Sequence, residues 1–322
     1  MAVQSMTSGR IWAGALVATF LLSAFAAEAS AQTLRVGKAF PSAFGFVPID
    51  VGVQEGIFKK QGLEIEITSL GGAPALIQAI TAGSIDIGLE SGTDLGMIPK
   101  GFPVKGVGAT MGPPLEITIT VAPDNAMKTI ADLKGKRVAV SQKGALTGWL
   151  VSELSRRMGW GPDGIEPVPS GNTGLTAVTS HSLDGFTIDI STAEQLQRKG
   201  RARLFLKFGD YIKDFEAYVV TASDTLISTH PDTLRRFLKG YYETIAFMRD
   251  NKAKTVAIAA EIQHVDPDIA ASTYDVMMDA FSKNGKFEPA ALRVLGRSFV
   301  ELDLLPKEPG MSTLVTEEFL PP

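Results

Sequence analysis

The sequence contains no cysteine, so it forms neither disulfides nor thiolate metal sites and has no cysteine nucleophile. Its three histidines, His181, His230 and His264, are far apart in the chain and lack the spacing of metal ligands. No phosphate loop, dinucleotide fingerprint or G-x-S-x-G nucleophile elbow is present. These absences argue against most enzyme classes, and we expect neither catalysis nor a cofactor.

Clustered positive charge is absent as well. The formal net charge is −4, and the chain has no run of lysine or arginine. A mildly acidic protein without a basic patch binds nucleic acids and anionic membranes poorly. We therefore expect a monomer whose partner is a small molecule and not a nucleic acid.

Long apolar stretches are missing except at the start of the chain. Arg10 precedes an apolar core from Ile11 to Ala27, and Ala29-Ser30-Ala31 follows as a small-residue cleavage site. This pattern predicts a signal peptide over residues 1–31, because a membrane anchor, the rival interpretation, usually needs about 20 apolar residues. Without cysteine there is no lipid anchor, so we expect a protein that is free in the periplasm.

Two pairs of segments are similar at nearly the same offset. Residues 79–88 (AITAGSIDIG) are similar to residues 177–186 (AVTSHSLDGF), and strand-like residues 34–37 correspond to residues 136–139. A repeated α/β unit predicts two similar lobes with a ligand-binding cleft between them.

Alternating β-branched segments mark where the chain crosses between the lobes. The segments are residues 115–122 and, for the return, residues 217–221. They predict lobe I over residues 32–114 and 220–322 and lobe II over residues 115–219. The helical periodicity of Leu234, Phe237 and Leu238 indicates C-terminal helices, which we expect on the first lobe.

Candidate ligand contacts lie in the loops that follow strands, where helices begin and backbone N–H groups are free. Each candidate also has a plain structural interpretation as a packing residue, a turn or a helix cap. The candidates are Phe40, Phe44, Phe46, Gly72, Ser91, Thr93, Ser141, Lys143, Thr147, Asn172 and Asp189.

The chemistry of these loops favours a small organic anion with an apolar portion. Helix starts such as those after Ser91 and Ser141 carry a partial positive charge that suits a carboxylate or sulfonate. The acidic residues Glu90, Asp94 and Glu116 favour the opposite, a cationic or amide-bearing ligand such as an aminopyrimidine.

Four further motifs are QEGIFKKQGLEI (54–65), AGSIDIG (82–88), DLKGKRVAV (132–140) and HPDTL (230–234). Together they resemble one family, the NMT1/THI5-like substrate-binding proteins of ABC importers, which includes receptors for nitrate, alkanesulfonates, taurine and pyrimidine precursors. The resemblance extends from residue 34 to residue 251. It departs at His181, where many relatives have glycine, and in residues 185–189, which lack a common aromatic-proline pattern.

The resemblance implies a type II periplasmic binding protein: two α/β lobes, joined by two crossing strands, that close on a ligand. It also implies delivery of the ligand to an ABC permease in the inner membrane. It carries Phe44, Gly72, Ser91, Ser141, Thr147 and Asn172 over as ligand contacts. A sensor module of the same fold, a receptor for a pyrimidine-type thiamine precursor and an enzyme on the same scaffold are the alternatives.

Overall fold

The structure, a computed structural model, describes residues 32–142 and 144–322. The predicted signal peptide and Lys143 therefore lie outside the described residues. Among the helices of this described part, none is both long and apolar enough to cross a membrane.

The strands form two five-stranded sheets with the same internal plan. The strands are β1 (Gln32–Lys38), β2 (Leu63–Ser69), β3 (Ile87–Ser91), β4 (Val104–Met111), β5 (Ile117–Val121), β6 (Arg137–Val140), β7 (Glu166–Pro169), β8 (Gly185–Asp189), β9 (Arg203–Lys207) and β10 (Tyr218–Ser223). The first sheet has the order β2-β1-β3-β10-β4 and the second the order β7-β6-β8-β5-β9. In each sheet three parallel strands are followed by one antiparallel strand.

The antiparallel strand of each sheet is reached by a crossing of the chain. Strand β5 follows directly on the first sheet but belongs to the second, and β10 returns to lie between β3 and β4. Residues 112–116 and 208–217 are the connecting segments. This arrangement confirms the predicted two-lobed α/β fold. The predicted boundary between residues 219 and 220 falls inside β10.

Helices cover the sheets and fill the last third of the chain. They are α1 (Val47–Gln54), α2 (Ile57–Lys60), α3 (Ala73–Thr81), α4 (Leu146–Arg157), α5 (Gly174–Thr179), α6 (Ile190–Arg198), α7 (Asp224–Thr229), α8 (Pro231–Asp250), α9 (Lys252–Gln263), α10 (Pro267–Met277) and α11 (Pro289–Glu301). Pro48 in a first helical turn and the apolar residues up to Phe58 predict one continuous helix here. The structure divides it into α1 and α2, because Gly56 adopts a left-handed φ of 68°.

The C-terminal helices pack on the first lobe, as predicted. Phe237 of α8 stacks on Phe58 of α2 with ring centroids 5.5 Å apart. Helix α11 lies on the 3₁₀ segment Gly92–Lys100, where a Cβ at Gly96 would be 2.9 Å from the Phe299 ring. These helices complete the core of the first lobe.

The predicted duplication is visible in equivalent hydrogen bonds. The backbone N–H of Arg35 donates to the Asp86 carboxylate at 3.0 Å, and that of Arg137 donates to Asp184 at 2.9 Å. Each aspartate fixes the start of one parallel strand to the turn before the next. Asp184 is thus a structural residue, and its exchange for alanine should affect folding before binding.

One position differs between the two copies of this turn, and it yields a stability prediction. Gly83 has φ 70° in the first copy, and His181 holds φ 56° in the second. A side chain in this left-handed region costs about 1–2 kcal/mol, so His181→Gly should raise the free energy of unfolding by about 1 kcal/mol. Urea denaturation measures this change. The reciprocal variant Gly83→His should lose a similar amount, and equal stability of both variants with the wild type would contradict the prediction.

Candidate functional site

The predicted site residues follow the carboxyl ends of the parallel strands in both sheets. In the first sheet these segments are the loops 39–46 and 70–72 and the start of the 3₁₀ segment at residues 92–94. In the second sheet they are residues 141–142, 144–145 and 170–173 and the first turn of α6, residues 190–192. Gln263 at the end of α9 connects the two sets, because its Nε2 donates to the Ser42 carbonyl at 3.0 Å and to Ser191 Oγ at 3.2 Å. The loop after β1 therefore meets the start of α6.

The three phenylalanines of the first loop differ in exposure. The rings of Phe44 and Phe46 are fully buried, and Phe46 packs edge-on against Tyr218 at 4.9 Å. Phe40 is 41% exposed and stacks on Phe46 with centroids 6.4 Å apart. Of the three, only Phe40 presents an aromatic surface to an incoming molecule.

The other candidates of the first lobe lie in backbone turns after the strands. Gly72 donates its N–H to the Ala39 carbonyl at 2.9 Å and has φ 115° immediately before α3. The buried Ser91 donates its N–H to Asp94 Oδ2 at 3.3 Å, which closes the turn after β3. Thr93 is buried beside it.

The second-lobe candidates surround the ends of β6, β7 and β8. Ser141 and Thr147 hydrogen-bond each other, with their hydroxyl oxygens 2.9 Å apart. Asn172 is exposed and lines a cavity of about 210 Å³ together with Gly171 and Thr192. The side chain of Asp189 caps α6 by accepting from the Thr192 N–H at 2.8 Å.

A buried polar cluster joins the two lobes where these loops meet. We call it the junction cluster; it consists of Glu116, Asp189, Ser191, Tyr218 and Gln263. The Glu116 carboxylate accepts the N–H groups of Phe44 at 2.5 Å and Gly45 at 3.2 Å. Its own carbonyl accepts the Ile190 N–H at 2.8 Å. Glu116 is therefore bonded to the start of α1 on one side and to the start of α6 on the other.

The charge of the junction cluster is negative. Burial, with the Asp189 carboxylate as a smaller cause, raises the pKa of Glu116 to about 7 although the hydrogen bonds from Phe44 and Gly45 act to lower it. Burial and Glu116 likewise raise the pKa of the Tyr218 hydroxyl. The cluster thus contains two carboxyl groups in contact with backbone donors and no basic side chain.

Tyr218 and Gln263 escaped the sequence analysis. Tyr218 begins β10, and its pairing with Ser91 arises only when the chain has returned to the first sheet. Gln263 lies in the C-terminal third, and its contact with Ser42 spans 221 positions. No local pattern signals either residue. Glu116 was noticed for its charge, but its contact with Phe44 could not be foreseen.

Side chains of the C-terminal helices also bridge the lobes away from the junction cluster. Glu301 of α11 accepts from Arg156 of α4 at 2.6 Å and from the Trp149 indole at 2.7 Å. Arg297 donates to the buried Glu153 at 2.8 Å. On the other side, Ser272 of α10 donates to Glu194 of α6 at 2.9 Å. The lobes are therefore in contact on both sides of the junction cluster.

Metal binding finds no support in the described part of the chain. Residues 32–142 and 144–322 contain no group of three or more histidine or acidic side chains that could hold a metal ion.

These features define a class. Two sheets that exchange a strand, with strand-end loops meeting between them, form a periplasmic-binding-protein fold. The alkanesulfonate-binding protein SsuA of Xanthomonas axonopodis pv. citri, solved with bound MOPS, shares this fold with a TM-score of 0.72 and 20% identity. The similarity covers 88% of this chain and 98% of that chain.

The chain belongs to the family described as NMT1/THI5 like, whose model matches residues 43–254. An Escherichia coli K12 protein named for the binding of aliphatic sulfonates is 26% identical over 307 residues, 91% of this chain and 90% of that protein. The 4-amino-5-hydroxymethyl-2-methylpyrimidine phosphate synthase of Schizosaccharomyces pombe is 24% identical over 219 residues. That match covers 63% of this chain and only 62% of the yeast enzyme's length.

Proposed function

We propose that the protein is the solute-binding receptor of an ABC importer. In this proposal it captures a small organic molecule between its lobes in the periplasm, as a monomer, and delivers it to a permease of the inner membrane. The observation that carries the proposal is the meeting of strand-end loops from two sheets at the junction cluster. In open α/β sheets, ligands bind beyond the carboxyl ends of the strands.

Receptor action follows from this geometry because a ligand that contacts both lobes stabilises the closed form alone. It shifts the balance between open and closed forms by its differential affinity, and a nearly complete shift needs about 5 kcal/mol. Residues after β1 and β8 already lie within hydrogen-bond reach of one side chain, Gln263. A bound solute would add bonds to the same two segments.

Two properties of the site support binding without catalysis. The carboxylate of Asp184 is held by the Arg137 N–H, and that of Asp189 caps a helix. The hydroxyls of Ser141 and Thr147 bond each other, and no general base adjoins them among the described residues. The synthase activity of the yeast relatives remains an alternative, as does a sensor module that docks on a membrane protein.

Mass spectrometry of small molecules released from freshly purified protein tests the proposal. We expect wild-type protein to release a specific compound. Asn172→Trp, which fills the cavity of about 210 Å³, should release little of it. The control Thr176→Trp places the same ring on an exposed position of α5 and should keep the compound.

Two results would contradict receptor function. One is that no compound is released and no solute from a broad panel raises the melting temperature. The other is that the released compound is turned over by the purified protein, which would support an enzyme instead.

A further inference from the structure

The loops that would hold the solute already contain carboxylates of the chain itself. Glu116 accepts the N–H groups of Phe44 and Gly45 before α1. Asp94 accepts the Ser91 N–H after β3, and Asp189 accepts the Thr192 N–H at the start of α6. These are the donors that an anionic solute would need. An incoming carboxylate or sulfonate would find them occupied and would meet negative charge in addition.

Gln263 provides a second and independent observation. Its side-chain nitrogen donates to the Ser42 carbonyl, which fixes the orientation of the amide because a carbonyl cannot donate. The residue is 7% exposed, and its Oε1 has no hydrogen-bond partner. A buried acceptor without a donor costs about 1–3 kcal/mol. A solute that brings an N–H group to this oxygen would remove that cost.

Asp189 offers a further acceptor in the same place. Its bonds from Ser191 and Thr192 both end on Oδ1, so Oδ2 is open to another donor. The junction cluster therefore presents acceptors from both lobes, namely Gln263 of α9 and Asp189 of the second sheet.

Positive charge in the surrounding loops is scarce. Lys38, at the end of β1, is buried and paired with Asp50 at 2.9 Å. The loops 39–46, 70–73, 91–94, 170–174 and 189–192 contain no lysine, arginine or histidine, and Lys143 lies outside the described residues. The exposed ring of Phe40 adds a surface that attracts cations through its π face.

We propose that the solute is an organic cation, whose N–H groups bind the carboxylates and the buried, unpartnered Gln263 oxygen of the junction cluster while its apolar part packs on Phe40. This inference rests on the proposed receptor function and gives it a ligand class. It reverses the ligand charge that the helix starts suggested in the sequence. The reason is that the chain supplies its own carboxylates before α1, at the 3₁₀ segment after β3 and at the start of α6.

Isothermal titration with shape-matched probes tests the ligand charge. The pairs are benzamidine against benzoate, and butylamine against butanesulfonate, at pH 7.5. We expect the cation of at least one pair to bind and its anionic counterpart not to bind. Gln263→Leu, which deletes the open acceptor, should weaken that cation about tenfold, near 1.4 kcal/mol. The control Gln78→Leu makes the same exchange at an exposed position of α3 and should bind like wild type.

The outcomes separate this inference from receptor function. Binding of an anion in preference to its cationic counterpart, or an anion among the released small molecules, would overturn the cation inference and leave the receptor intact. Failure of every cation to bind would also overturn it. Equal affinity of wild type and Gln263→Leu for a cation would remove Gln263 from the site. Only the absence of any binding and of any released compound would contradict both.

Discussion

Exchange of Glu216 for glutamine should stabilise the protein strongly at pH 8.5 and hardly at all at pH 5. Glu216 is 3% exposed; its Oε1 accepts the Glu288 N–H at 3.3 Å, and its Oε2 has no partner. Burial raises the pKa of this carboxyl from 4.5 to about 8. Between pH 4.5 and about 8, the native state therefore keeps a proton on Glu216 that the unfolded chain has lost.

The sign of the pH dependence follows from proton binding. Because the folded state binds more protons than the unfolded state between pH 4.5 and about 8, stability falls as pH rises through this window. Each pKa unit is about 1.4 kcal/mol, so a rise from 4.5 to about 8 corresponds to at most about 5 kcal/mol. We expect Glu216→Gln to gain a large part of this amount above pH 8. Glutamine carries no charge and retains an acceptor for the Glu288 N–H.

Urea denaturation from pH 5 to pH 8.5 measures this effect. The control Glu308→Gln neutralises an exposed carboxylate and should follow the wild type within about 0.5 kcal/mol at every pH. If the free energies of unfolding of Glu216→Gln and the wild type stay parallel over the whole pH range, the carboxyl of Glu216 titrates normally and the explanation fails.

Burial also raises the pKa of Asp94 to about 7, so the wild type itself should become more stable on mild acidification.

The second large effect that we expect is a loss of stability when Gly92, immediately after β3, is exchanged for alanine. A Cβ at this position would lie closer than 3.0 Å to the backbone carbonyl oxygen of Glu216, and the Gly92 N–H donates to the Ala217 carbonyl at 3.1 Å. Backbone cannot move away as a flexible side chain can. Gly92→Ala should therefore lower the free energy of unfolding by about 3 kcal/mol, since overpacking of a rigid contact costs about this much.

A matched glycine makes the comparison specific. Gly148 lies inside α4. A Cβ added there would lie 3.8 Å from the nearest atom that is not part of the same stretch of helix backbone. Gly148→Ala should stabilise the protein by up to about 1 kcal/mol, because alanine favours helix over glycine. Thermal melts of both variants measure these changes in stability. A Gly92→Ala protein as stable as wild type would show that the chain does not pass so close to Gly92 on its return to the first sheet.

Much of the fold could be predicted because it is encoded locally. The alternation of Leu63, Ile65 and Ile67 marks β2, and the repeated turn before Asp86 and Asp184 marks both copies of the α/β unit. The same local information failed at Gly56, where the chain leaves the helix although the apolar pattern continues. The β-branched alternation of residues 115–122 and 217–221 correctly marked the two crossing strands, β5 and β10.

The site was harder to predict because burial and pairing depend on distant segments. Phe40 and Phe46 are six positions apart and chemically alike, yet only one is exposed. The preference for an anion rested on helix starts with free N–H groups. That premise does not hold after β3, where Asp94 accepts the Ser91 N–H. The N–H groups of Phe44 and Gly45 are taken in the same way by Glu116, which the crossing of the chain brings there. The sequence predicted where the strand-end loops lie, but not which side chains of the chain bond their N–H groups.

The exchange of strands between the sheets sets an order of folding. Strand β10 pairs with β3 and β4 on its two edges, so the first sheet has a gap until residues 218–223 have been made. A nascent chain that ends before this point holds two sheet fragments with open edges, and such long-range pairing is slow to form. The first lobe therefore cannot complete its sheet before residue 223 has been added to the chain.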